Sequence, residues 1–283
     1  MGGDYIVILV LLCFLFNPCY PTLVESIDAD ANFTDEGSSI ISHYAMWHTE
    51  PGQFYGLRAE MSIWASPNQE TSQESGAFLH IYCQDGGHYK LIQISPSLYN
   101  NRDIRFFTYW TKDLKSKGCY NSQCAGYVPA SGVELVPGQA IAPPSVYGIQ
   151  DHYIRLSINK DPNSGDWVVH RHDLEKPSFL GHFPKELCLG TKRIQALTKF
   201  VNYLKNAHGP PMGSGHFPDY DEKKSTYFNH IKKYNSKGQA FDPFSTKVAK
   251  LVDRPDCYDA NDLFLEFKKG YTFNYGGPSG CIG

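Results

Sequence analysis

The stretch GPPMGSGHFP, residues 209–218, gathers groups that could do chemistry. Ser214 stands between Gly213 and Gly215, with His216 next, and a serine beside a histidine suggests a serine hydrolase. The spacing argues against it. The pattern is not Gly-x-Ser-x-Gly, and no strand leads into it. His216 is also too close along the chain to serve as the base of Ser214. A tight backbone loop that positions its neighbours is the better reading.

Carboxylates are the next candidates. Glu60, Glu70, Glu74, Asp85 and Glu134 lie among the early strands and loops. Two of them brought together could divide acid and base work on a water molecule. Most acids are solvated, however, and spacing alone selects no pair. His170 and His172 in HRH share one face of a strand. Two ligands without a third do not make a metal site, so a solvated strand face is the expectation. No metal and no cofactor is expected.

The N-terminus has an unbroken apolar run from Ile6 to Phe16, too short to span a bilayer comfortably. It reads as the core of a signal peptide, residues 1–26, cut after Ser26. Beyond it lie Cys83, Cys119, Cys124, Cys188, Cys257 and Cys281, an even set that reads as disulfides in a secreted chain. Cys119 and Cys124 flank a polar turn in GCYNSQC and should pair locally. Cys257 and Cys281 could staple the C-terminus to the core. Cys83 and Cys188 either pair or stay as buried thiols. Asn32 opens a glycosylation sequon, Asn32-Phe33-Thr34.

Such residues need elements to hold them. The chain holds 19 Tyr and 17 Phe against 25 Gly and 18 Pro, strand-formers punctuated by turn-formers. Residues 27–42 are small and polar, a flexible entry. From His43 short strands recur: GLRAEMSIWAS, AFLHIYCQ, HYKLIQIS, RFFTYWT, GYVPA, HYIRLSINK and DWVVHRH. The stretch FPKELCLGTKRIQALTKFVNYLKN lacks strong breakers apart from Gly190, and its first part suggests a short helix. The expected fold is all-β, an antiparallel sandwich of two sheets over residues 43–283. Charged residues are 19% and the net charge is −3, so nothing favours nucleic acid, or a membrane once the signal is removed. No feature fixes an oligomeric state.

Three segments then carry a resemblance. FFTYWTKD with GCYNSQCAGYV, PPMGSGHFP, and YTFNYGGPSGC resemble the neprosin domain, a mostly plant family of secreted proteins. HYAMWHTEPGQFYGLRAEMSIW looks like the family's entry strands. The resemblance implies a two-sheet sandwich with an active groove on one concave face. It also implies a glutamic endopeptidase that cuts after proline in acid, using two glutamates as an acid/base pair on water. Like-charge proximity would split their pKa values.

Aligned on Gln93, Ile94 and Pro96, the family's first glutamate falls on Tyr89. The second falls on Lys199, within a residue or two. No Asp or Glu occurs from Thr191 to Met212, so the second acid is missing in any nearby register. In acid a tyrosine is a neutral phenol and a lysine a cation, and neither takes a proton from water. The family's inhibitory propeptide is also reduced here to residues 27–42. The expectation is a secreted homologue, in the extracellular or cell-wall space, that has lost peptidase chemistry. Its groove would bind a peptide, proline-rich by the family's habit, with Tyr109, Trp110, Ser214 and His216 as lining candidates. The alternative is an active acid-pH prolyl endopeptidase with relocated carboxylates, Glu60 among them.

Overall fold

The computed structural model describes residues 40–282 apart from 67–68, 71, 86–87, 100–102, 115–117 and 244–246. The expected signal, its cut and Asn32 lie outside the described residues.

Among the described residues the chain forms two antiparallel sheets and no α-helix. The first sheet runs, edge to edge, Val248–Val252, Ile40–Thr49, Lys192–Leu204, Glu74–Asp85, His88–Tyr99, Arg105–Thr111 and Cys119–Tyr120. The second has ten strands. Its centre is Gly270–Gly276, Thr226–Tyr234, Gly56–Ser62, Tyr153–Lys160 and Trp167–Arg171. The expected sandwich is therefore the observed fold.

Strand alternation builds the core. Ala59, Met61, Ile158 and Phe228 of the ten-stranded sheet meet Leu79, Ile81, Ile92, Leu197 and Val201 of the other. Intervening positions point outward. On the seven-stranded sheet those outward positions form a second apolar cluster, with Tyr44, Met46, Phe78, Tyr82, Leu91, Tyr109 and Phe200.

Two boundaries differ from the sequence reading. Ile40, Ile41 and Ser42 belong to the first strand, so the entry segment gives way to the sheet before His43. FPKELC contains a single 3-10 turn, Lys185–Cys188, while Lys192–Leu204 is a 13-residue strand inside its sheet. That strand is buried almost throughout, on both faces. Its hydrophobic pattern is nearly continuous, which hides the period-two signal.

Three disulfides form among the described residues. Cys119–Cys124 and Cys257–Cys281 pair as expected, and Cys83 pairs with Cys188. The last ties a strand of the seven-stranded sheet to the 3-10 turn, so the open alternative resolves to a bridge.

Candidate functional site

Tyr89 lies on His88–Tyr99, opposite Gln84 of the neighbouring strand. It is partly buried and packs on the outward cluster with Tyr82 and Leu91. Burial pushes its phenol pKa up, further from any use as a base in acid.

Lys199 lies on Lys192–Leu204, between Ala45 and Ala77 of the flanking strands. Its neighbours Leu197 and Val201 both point into the inter-sheet core. Lys199 therefore faces the interior, whereas Tyr89 faces outward. Register separates them as well. On the shared strand Glu74–Asp85 their partners, Gln84 and Ala77, are seven positions apart, about 23 Å of extended chain. The two positions aligned with the family's glutamates do not face one another in this chain. A one-residue shift moves the second position to an outward face but only about 3.3 Å along the strand.

Carboxylates on this sheet are sparse. Its seven strands contain Glu74 and Asp85 and no other acid. These two end the same strand, eleven positions and about 36 Å apart. Glu74 accepts a 3.0 Å hydrogen bond from Asn202, which in turn accepts one from Ser42. Burial raises the Glu74 carboxyl to about 7, against the opposing effects of Asn202 and Lys199. Burial likewise lowers Lys199 to about 7.

Acids that act on one another do occur at the other sheet, Glu60 on its outward face with Asp151 and Glu222 in loops. Glu60 is buried and receives a hydrogen bond from Arg155. Asp151 accepts a 2.6 Å bond from the Tyr227 hydroxyl and a 3.4 Å bond from Ser145. Glu222 accepts from Asn229 at 2.9 Å. Burial raises the carboxyls of both Glu60 and Asp151, and repulsion from Glu222 adds to each. Sequence reasoning named Glu60 but missed Asp151 and Glu222, because each sits in a loop after a distant strand. Nothing in local spacing joins them.

The lining candidates scatter. Tyr109 shares the outward face with Tyr89, but it is buried against Tyr120 at 4.5 Å between centroids. Trp110 is on the opposite face, its indole N–H bonded to the Ala125 carbonyl. Ser214 and His216 belong to the turn expected from sequence. Gly213 has φ +63, and a Cβ there would lie 1.9 Å from Thr226 Oγ1, so only glycine fits. The His216 ring stacks on Tyr147 at 4.0 Å, and the buried Ser214 Oγ has no hydrogen-bond partner. These contacts make no nucleophile–base couple. Around that loop Tyr147, Phe217 and Tyr220 are exposed.

His170 and His172 sit 5.9 Å apart between centroids, and Ser157 bonds His172 Nε2 at 2.8 Å. No group of three metal-ligating side chains occurs among the described residues.

A family model described as Neprosin matches residues 73–278. The chain belongs to the Neprosin family. The matched stretch holds the FFTYWTKD, GCYNSQCAGYV and PPMGSGHFP motifs and YTFNYGGP of the third; the entry strands precede it and Ser279–Cys281 follow it. Two solved peptidases are similar in shape to this Neprosin-family chain. Scytalido-glutamic peptidase, solved with a peptide-based transition-state analogue, is 9% identical with a TM-score of 0.46. SCP-B, a member of the Eqolisin family of peptidases solved with the tripeptide Ala-Ile-His, is 10% identical with a TM-score of 0.45. Each match covers 84% of this chain and 98% of the other.

Proposed function

We propose that this Neprosin-family chain is a secreted protein that has lost glutamic-peptidase chemistry and binds peptides without cutting them. The carrying observation is the distribution of acids on the seven-stranded sheet. A dyad needs two carboxyls sharing one water, one ionised and one protonated. The two acids of that sheet stand at opposite ends of one strand. Loss of a positioned acid or base costs about 10²–10⁴ in rate, and here both are missing. Three disulfides support secretion, since such bonds persist in oxidising compartments.

The ligand reading rests on the glycine-flanked loop. Tyr109 and Trp110 are committed to packing, so Tyr147, His216, Phe217 and Tyr220 are the rings available for proline. Aromatic faces suit the rigid, extended form of proline-rich peptides. Titrating the purified mature domain with proline-rich peptides tests this. Association weakened by Tyr147→Ala and Tyr220→Ala is expected, with no cleavage from about pH 2.5 to 6. No association at millimolar peptide would sink the reading.

The grouping of Glu60, Asp151 and Glu222 favours a second reading, an acid peptidase with relocated carboxyls. Raised neighbouring carboxyls can hold the mixed protonation state such chemistry requires. Cleavage of a proline-containing peptide that disappears on Glu60→Gln would establish it in place of the first.

A further inference from the structure

Lys199 borders a cavity of about 20 Å³ that also touches Trp64, Ser75, Thr226 and Tyr275. That volume suits one water-sized occupant. Its walls are rich in donors. Tyr275 is fully buried and Trp64 nearly so, and neither Tyr275 Oη nor Trp64 Nε1 has a hydrogen-bond partner. Lys199 is only 6% exposed and brings an ammonium with three N–H groups. Thr226 Oγ1 already accepts from the Ser214 amide at 2.7 Å, which leaves its own hydrogen to donate.

Ser62 and Ser75 add hydroxyls to the wall, and Ser62 Oγ already accepts from the Tyr227 amide, but no carboxylate lines the cavity. Among the described residues no carboxylate forms an ion pair with Lys199; Glu74 acts on it through space and bonds Asn202 instead. A buried cation without a contact counter-ion is costly, and so are unpaired indole and phenol donors. A water would fill the space but leave the charge uncompensated.

We propose that this cavity is a binding site for a single small monovalent anion of the halide class, held by the Lys199 ammonium with Trp64 Nε1–H and Tyr275 Oη–H as donors. A halide accepts from all three and cancels the charge in one step. The small volume favours a monatomic over a polyatomic anion. The site does not rest on the peptide reading, although Gly213 of the glycine-flanked loop forms part of its wall.

Two measurements at pH 5 decide it. Crystals of the mature protein grown in bromide should show one anomalous peak bordered by Lys199, Trp64 and Tyr275. Thermal midpoints should rise with chloride or bromide concentration, but not with gluconate at equal ionic strength. Lys199→Met should abolish that halide dependence, and Tyr275→Phe should weaken it. Should Lys199→Met not fold, the bromide map and Tyr275→Phe carry the test. A cavity without anomalous signal, together with equal midpoints in halide and gluconate, would overturn the proposal in favour of bound water.

Discussion

The Tyr227 hydroxyl donates a 2.6 Å hydrogen bond to Asp151 Oδ2, joining a buried strand of the ten-stranded sheet to the loop before Tyr153–Lys160. Tyr227 is 1% exposed, so removing its oxygen leaves the carboxylate short of a donor. Hydrogen bonds to charged groups contribute about 1.5–3 kcal/mol. Tyr227→Phe should lower unfolding free energy by that amount at pH 7, read from urea midpoints at unchanged m-value. It should also push the Asp151 carboxyl higher still, because the bond now opposes its rise.

Glu74 gives the stability a sign against pH. Its ordinary value of 4.5 is raised to about 7 by burial. Between those values the folded chain keeps a proton that the unfolded chain has lost, so stability falls as pH rises from 4.5 to 7. Glu74→Gln should flatten that descent. Lys199, lowered from 10.5 to about 7, acts in the window above, where stability rises with pH. Lys199→Met should remove that rise. Denaturant midpoints from pH 4 to 10 check both.

The three disulfides should rank by the loop each closes. Sequence separations are 105 for Cys83–Cys188, 24 for Cys257–Cys281 and 5 for Cys119–Cys124. Loop-closure entropy gives about 5, 3 and 2 kcal/mol respectively. Paired Cys→Ser replacements should lower stability in that order. Equal losses would show that strain or residual structure outweighs chain entropy.

Gly213 tests the loop. With φ +63, any side chain there incurs about 1–2 kcal/mol of backbone cost, and overlap with Thr226 Oγ1 adds to it. Gly138 has φ +91 but open space where a Cβ would sit, so its replacement carries the backbone part alone. Gly213→Ala should destabilise more than Gly138→Ala in thermal melts. It should also loosen the Ser214 amide bond to Thr226, visible as faster amide exchange.

Much of the fold was legible because its signals are local. Arg105–Thr111 coincides with RFFTYWT, where aromatic and β-branched residues sit between polar turns. The Cys119–Cys124 bridge follows from a five-residue spacing across a turn. The Gly213–Gly215 turn follows from residue type. Lys192–Leu204 was less legible, since a strand buried on both faces loses its alternation.

The candidate site was hidden for a different reason. Sequence alone determined the secondary-structure class, the family's motifs and the absence of acids from Thr191 to Met212. Tertiary structure decided that Tyr89 and Lys199 occupy opposite faces and distant rungs. It also decided that Asp151 and Glu222 come near enough to Glu60 to repel its charge, and that Lys199 borders a donor-lined cavity. Residue type and local period are written along the chain. Strand register and sheet pairing join residues more than a hundred positions apart, and no short-range pattern encodes which rung meets which.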